Sequence, residues 1–400
     1  MEKSRLISKL GNLYSTKLYY PISLFIFGSI PLLYKLSNVP KGLSSNELLT
    51  RNDLINHTYN LNYLLHHLST FLFSSYLVVL NYLNYHSLIL IRLSGYAVGL
   101  IAIFLFSYIA RTFTNKFIGT ITTILFATSL WFLQIIRNNH NLQYYSFAIL
   151  LGIFISILYY RKKSINFIVI LSSILLGLSF YVPGMIWFAL LFIIINFKAI
   201  RLEIHSLSRK YKLISLAILL LILTPIVYES VHSHNLIYSA LFIPSSINLH
   251  HLLTQFINYP KMLFVQNNPV LSSSIGKLPF INFASAIILI FSSIWLYKNK
   301  TNTLTEYIYF SFILDWVLCT LNGDRSIYII LPLLSLLVSV GLFYLYGEWK
   351  RIFPKNPYPN FLANLLLGLL VASIGLYQIL LYFIVWPHTP QVLSLYSHYL

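Results

Sequence analysis

Leu61-Asn-Tyr-Leu-Leu-His-His-Leu-Ser-Thr-Phe-Leu-Phe73, continuing to Tyr85, is the stretch whose reading decides the fold. It mixes apolar residues with Asn, His and Ser, which suits a helix lying in a membrane interface better than one crossing it. The choice sets the side of every later loop. If 61–85 crossed, the parity of all following segments would flip and their basic residues would fall on the wrong side.

That a membrane is present follows from composition. Of the 400 residues, 58% are hydrophobic and 9% charged, where soluble domains carry roughly a quarter charged. Apolar runs near 20 residues, each able to cross a core about 30 Å thick, recur along the chain and leave no ordinary soluble domain over. The expectation is one all-α, polytopic membrane domain over 1–400. It has about eleven transmembrane helices, near 18–35, 88–110, 117–136, 142–160, 165–181, 184–197, 213–228, 281–297, 304–321, 326–347 and 361–386. The first follows Lys3, Arg5, Lys9 and Lys17 but lacks a small-residue cleavage site, because Ser29-Ile-Pro runs into Leu32, Leu33 and Tyr34. It reads as an uncleaved span rather than a secretory signal.

The net charge of +18 would suggest nucleic acid in a soluble protein. Here it reads as topology, and no nucleic-acid partner is expected. With a cytoplasmic N-terminus, the inner segments hold Lys3, Arg5, Lys9, Lys17, Arg111, Lys116, Arg161, Lys162, Lys163, Lys198, Arg201, Arg209, Lys210, Lys212, Lys298, Lys300, Lys350, Arg351 and Lys355, nineteen of the 27 basic residues. The opposite orientation breaks the positive-inside rule at almost every loop. A multi-pass protein of the plasma membrane is expected, with its working face outside.

Two long segments then lie outside, 37–87 and 229–280. Each carries an expected interfacial helix, 61–85 in the first and Asn248–Leu263 in the second, the latter broken up by Pro260, Pro269 and Pro279. The first also holds Glu47 and Asp53 in a loop, two of only nine carboxylates. Sorting the acids by side leaves Glu47, Asp53, Glu229, Asp324 and the intramembrane Asp315 as candidates for a general base at the outer face. Asp315 reads equally as a structural hydrogen-bond partner, and Asp324 with Arg325 as a solvated turn.

Lys35, Lys41, Arg51, Arg92, Arg137, Lys261, Lys277 and Arg325 stand on the disfavoured side. An arginine fork suits a phosphate bidentately. Arg137, in a turn running Arg137-Asn-Asn-His140-Asn141, and Arg325 are therefore the candidates for a lipid-linked phosphate, with lipid headgroups as the plainer partner. Twelve histidines include the pairs His66-His67, His232-x-His234 and His250-His251. Adjacent histidines on a helix point apart and no HExxH pattern is present, so no metal or other cofactor is expected. The single cysteine, Cys319, excludes an internal disulfide and reads as a core residue.

Five stretches stand out in order: Pro40-Lys-Gly-Leu-Ser-Ser-Asn46-Glu47, Ser87-Leu-Ile-Leu-Ile-Arg92-Leu-Ser94-Gly95, Ala127-Thr-Ser129-Leu-Trp-Phe with Arg137-Asn-Asn-His140-Asn141, Arg325-Ser-Ile-Tyr328 with Pro332 and Gly341, and Trp349-Lys-Arg-Ile-Phe353-Pro354. Taken together they resemble the C-type-fold integral-membrane glycosyltransferases, particularly the bacterial dolichyl-phosphate-mannose protein mannosyltransferase and aminoarabinose transferase group of glycosyltransferase family 39. The resemblance implies transfer of a sugar from a polyprenyl-phosphate donor to a lipid, glycan or protein acceptor outside, by inverting displacement. In that reading Glu47 is the base, Asp53 a second carboxylate, and Arg137, Arg325 and Lys261 hold the phosphate.

The chain departs from the family pattern where Asn46 stands in place of an acid, since an amide does not accept a proton at ordinary pH. A second departure is His140-Asn141, where an acid is common. A degenerate relative with a binding or assembly role is therefore one alternative. A lipid-linked-oligosaccharide flippase is another, and it would call for charges lining several spans and for symmetry between halves.

Overall fold

A computed structural model describes residues 19–56, 58–60, 63–64, 71–138, 143–160, 165–232, 241–244, 249–266, 274–298, 303–322, 327–353 and 357–396. These residues are almost wholly helical. In order the helices are α1 (Tyr19–Leu33), α2 (Ser45–Ile55), α3 (Phe71–Tyr82), α4 (Leu88–Phe113), α5 (Lys116–Ala127), α6 (Leu130–Asn138), α7 (Gln143–Tyr160), α8 (Ile165–Ser179) and α9 (Met185–Ile195). They continue with α10 (Phe197–Ser206), α11 (Arg209–His232), α12 (Leu249–Phe264), α13 (Phe283–Lys298), α14 (Thr303–Asn322), α15 (Ile327–Ile352), α16 (Pro357–Leu380) and α17 (Pro390–Leu395). A π-helical turn, Leu381–Val385, and a short 3-10 turn join α16 to α17.

Each apolar run read as a span coincides with helix. By length and composition, four helical stretches among the described residues can cross a membrane, or up to six if each bent pair counts once: Leu88–Phe113, Arg209–Glu229, Ile327–Ile352 and Tyr358–His388, with α5 plus α6 bent by 55° and α9 plus α10 bent by 80°. The protein is thus an all-helical membrane protein.

Burial sorts the helices. In α15, 83% of the spanning window is buried, against 6% in α11, so α15 is the axis of the bundle and α11 lies at its edge. α15 packs on α13, α7, α5 and α14, while α4 packs on α5, α7, α1 and α6. α11 leans on α8 and exposes Leu213, Leu216, Leu220 and Leu221. In water that surface would drive association; against lipid it costs nothing. Helices approach closely where side chains vanish: a Cβ on Gly341 would sit 2.4 Å from the Ile288 carbonyl oxygen of α13.

Four expectations are corrected. Glu47 and Asp53 lie on a helix, α2, not in a loop. Arg137 belongs to the last turn of α6, not to the turn after it. Pro260 sits inside α12 without ending it. Residues 197–206, read as part of a charged loop, form α10, because Phe197, Ile200 and Ile204 fall on one helical stripe. Of the expected interfacial helix 61–85, residues 71–82 form α3, which packs on α2 and α4 around Leu54, Tyr59, Phe73, Leu77, Leu80 and Ile91. Cys319 is buried, as a core residue would be.

Candidate anion-binding site

α2 begins with a capping box. Ser44 is extended at φ −72° and ψ 157°, and its Oγ accepts from the Glu47 N–H at 3.2 Å. The Ser44 N–H donates back to Glu47 Oε2 at 3.0 Å. Two orphan donors of the helix start are thereby satisfied reciprocally, which aims the Glu47 carboxylate inward at α4.

There it meets Arg92, from the first turns of α4. Arg92 Nε donates to Glu47 Oε1 at 2.7 Å and Nη2 to Oε2 at 3.1 Å, a bidentate pair. The remaining donors of Arg92 go to carbonyls of the chain between α1 and α2: Nη1 to Leu36 at 3.1 Å and Pro40 at 3.2 Å, and Nη2 to Gly42 at 3.0 Å. Both side chains are buried, at 0% and 2% exposure. Every donor of the guanidinium is used, so this pair shapes the 36–47 segment.

Arg137 is the contrasting case. It is 1% exposed, and its Nη1 donates to the Pro31 carbonyl at 3.0 Å, one of the carbonyls that the end of α1 leaves without a helical partner. Its Nε and Nη2 are buried and find no acceptor among the described residues. The guanidinium carbon lies 5.2 Å from the Tyr382 ring centre and 5.0 Å from that of Phe383, both on the π-helical turn. The Arg92 charge acts on Arg137 unfavourably across the site.

Of the two buried guanidiniums, Arg92 is paired with the Glu47 carboxylate and Arg137 is not. Tyr396, just past α17, closes the cluster with its ring 5.9 Å from the Arg92 guanidinium carbon. Burial first, and then the Glu47 charge, push the Tyr396 hydroxyl far up from its ordinary value, so it stays neutral.

A groove of about 650 Å³ opens beside Arg137. Leu24, Phe27 and Ile30 of α1, Ile103 of α4, Ile124 and Ala127 of α5, and Ile379 and Ile384 of the last long helix make its walls apolar, and Tyr34 and Lys35 stand at one end. Pro31 and Phe383 line this groove and also touch Arg137. The incompletely paired Arg137 is one side chain away from an apolar trough.

Of the sequence-predicted residues, Glu47 and Arg137 fall in the same neighbourhood, Glu47 on Arg92 beside Tyr396 and Arg137 on Tyr382, without touching each other in any contact seen among the described residues. Asp53 does not join them: it is six residues on in α2, about 120° around the helix from Glu47, half-exposed and close to Tyr59 and Tyr63. Asn46 is exposed. Lys261 stands exposed on α12, which packs chiefly on α14, where Tyr259 donates to the buried Asp315 at 2.5 Å. Arg325, Asp324, His140 and Asn141 lie outside the described residues. Among the described residues no group of three His, Cys, Asp or Glu converges to hold a metal.

Sequence reasoning missed the parts played by Arg92, Tyr382 and Tyr396. One local signal was present, the Ser44-x-x-Glu47 spacing of a capping box. No family model matches this chain, and no curated protein sequence does either.

Proposed function

We propose that this protein takes a polyprenyl-phosphate-linked sugar from the outer leaflet and transfers the sugar to an acceptor hydroxyl at the outer face of the plasma membrane. The observation that carries the reading is Arg137: a buried guanidinium whose Nε and Nη2 find no acceptor among the described residues, beside an apolar groove and near the buried Arg92. Leaving such a group unpaired costs several kcal/mol or so, and a phosphate oxygen offers it the acceptors it lacks. The prenyl tail lies along α1 and α5, and Lys35, rather than Lys261, is the second cation at the groove.

The topology that supports this reading is the eleven-span arrangement with an inner N-terminus, which puts α2, Arg137 and Lys35 on one side and most basic residues on the other. In the reaction the acceptor oxygen attacks the anomeric carbon from the side opposite the phosphate. The bond to the phosphate oxygen breaks, and the charge that collects on the phosphate is met by Arg137, whose donors are already oriented for it. The acceptor proton goes to Glu47, freed by exchange of Arg92 onto the phosphate; Asp53, which stands away from the cluster, is not placed to take it. A second reading, lipid-phosphate binding without transfer, is favoured by one specific observation: both oxygens of Glu47 are already engaged and Asn46 beside it is an amide.

The test is transfer of radiolabelled sugar from a polyprenyl-phosphate donor in membranes containing wild-type, Arg137→Gln or Glu47→Gln protein, alongside retention of the unglycosylated polyprenyl phosphate by the purified proteins. The reaction reading expects transfer by wild type, loss of tenfold or more in Arg137→Gln, and a comparable loss in Glu47→Gln. Retention without transfer selects the binding role. Equal retention by wild type and Arg137→Gln removes both.

A further inference from the structure

A second cleft lies elsewhere in the bundle, between α7, α8 and α9, with a volume of about 290 Å³ and almost wholly apolar walls. Its few hydroxyls are spoken for: Ser172 donates to the Ile168 carbonyl at 2.8 Å, Ser173 to Val169 at 3.0 Å and Ser179 to Leu176 at 2.6 Å. A space of this kind has nothing to hold water and stays dry or takes an apolar guest. On α8 it reaches from Ile168 to Ser179, which at 1.5 Å per residue is about 16 Å. That is roughly half of a 30 Å hydrocarbon core, the depth of one leaflet.

One end of the cleft carries charge. Ile200 and Ile204 of α10 line that end. At about 100° per residue, Arg201, His205 and Lys198 follow Ile204 around the helix, bordering the apolar stripe with a basic arc. Lys198 and Arg201 are exposed. Lys212 of α11 donates to the His205 carbonyl at 3.3 Å, which brings the first turn of α11, with Arg209 and Lys210, against the end of α10. Five basic residues in 197–212 are opposed by one acid, Glu203.

We infer that this cleft seats one acyl chain of an anionic phospholipid, with the headgroup phosphate against the Lys198 and Arg201 arc of α10. Apolar depth of one leaflet and a cationic rim are what such a lipid matches; a zwitterionic lipid fills the cleft but gains less from the rim. The site shares no residue with the Arg137 groove, and the inference stands whether or not sugar transfer is the reaction.

The experiment is native mass spectrometry of the purified full chain exchanged into micelles doped with phosphatidylglycerol or phosphatidylcholine. Wild type is expected to retain one phosphatidylglycerol in clear preference to phosphatidylcholine. Lys198→Gln with Arg201→Gln, both exposed, should reduce that retention tenfold or more, while Lys277→Gln, at an exposed lysine that lines neither this cleft nor the Arg137 groove, leaves it unchanged. Gly152→Leu blocks the cleft from the tail side, since a Cβ there meets only Leu175, at 3.8 Å. It should reduce retention of both lipids. Equal retention of the two lipids by wild type, or unaltered preference in the double variant, overturns the inference.

Discussion

Replacing Glu47 by Gln separates its architectural role from any chemical one. The change keeps the volume and one acceptor but removes the charge that neutralises Arg92, which is 0% exposed at its side chain and held at 2.7 and 3.1 Å. Breaking a buried ion pair by removing one partner costs about 3–5 kcal/mol. Here the remaining charge also feels Arg137, which puts the cost toward the upper end. Each kcal/mol moves the midpoint of a chain larger than 250 residues by about 2 °C or less, so Glu47→Gln should lower the thermal midpoint in detergent by roughly 5 °C. Adding Arg92→Met removes the stranded charge as well and should recover part of the loss. The assay is thermal unfolding of wild type, both single variants and the double variant as a cycle. An unchanged midpoint in Glu47→Gln, or strictly additive losses in the double variant, would refute the claim that the pair organises the 36–47 segment.

At the crossing of α4 and α6, a Cβ on Gly95 would lie 1.8 Å from the Ile136 carbonyl oxygen, and backbone there has no room to move; Gly95→Ala should cost at least 2–3 kcal/mol or so, seen as a lower midpoint together with weaker polyprenyl-phosphate retention, because Arg137 follows Ile136 directly. Burial is the first cause that holds the Tyr59, Tyr63 and Tyr396 hydroxyls above their ordinary value of 10.0. A raised folded value means that the native state keeps protons which the unfolded chain releases, so stability is complete below about pH 10 and falls as pH rises beyond it. Midpoints measured from pH 8 to 11 should drop at the alkaline end, and Tyr396→Phe should shallow that drop; a flat profile in wild type would contradict the burial of these rings.

Legibility varied with the range of the interaction that decided each feature. Helices α1, α4 and α13 to α16 are written in uninterrupted apolar runs, and their existence needs nothing but a membrane thickness. The bend after α5 is not written that way, since Ala127-Thr-Ser129-Leu reads as continuous span; Thr128 and Ser129 turn their hydroxyls onto the carbonyls of Ile124 and Phe126, a competition with the helix that only packing resolves. α10 was hidden by its charges, although Phe197, Ile200 and Ile204 keep helical spacing through them. The site itself splits in the same manner. The capping box of α2 is local and readable, whereas Glu47 and Arg92 are 45 residues apart, and no pattern along the chain tells that an arginine has been pulled into the protein to meet it.

That pairing changes what the outer charges mean. The sequence expectation puts eight basic residues on the disfavoured side and invites the assumption that each serves a lipid or a substrate, yet Arg92 spends all of its donors on the protein's own carboxylate and carbonyls. What singles out Arg137 is not its charge but its incomplete satisfaction among the described residues: one Nη1 donor caps the end of α1, the guanidinium lies near the Tyr382 and Phe383 rings, and the buried Nε and Nη2, with three N–H groups between them, find no acceptor there. A fold that consumes one guanidinium completely and leaves the next one incompletely paired among the described residues, one side chain from an apolar groove, is what the proposed lipid-phosphate ligand rests on. Under the transfer proposed above, Arg92 would bear on the chemistry as well as on architecture, because a phosphate on Arg137 would compete with Glu47 for it and release the carboxylate to take a proton.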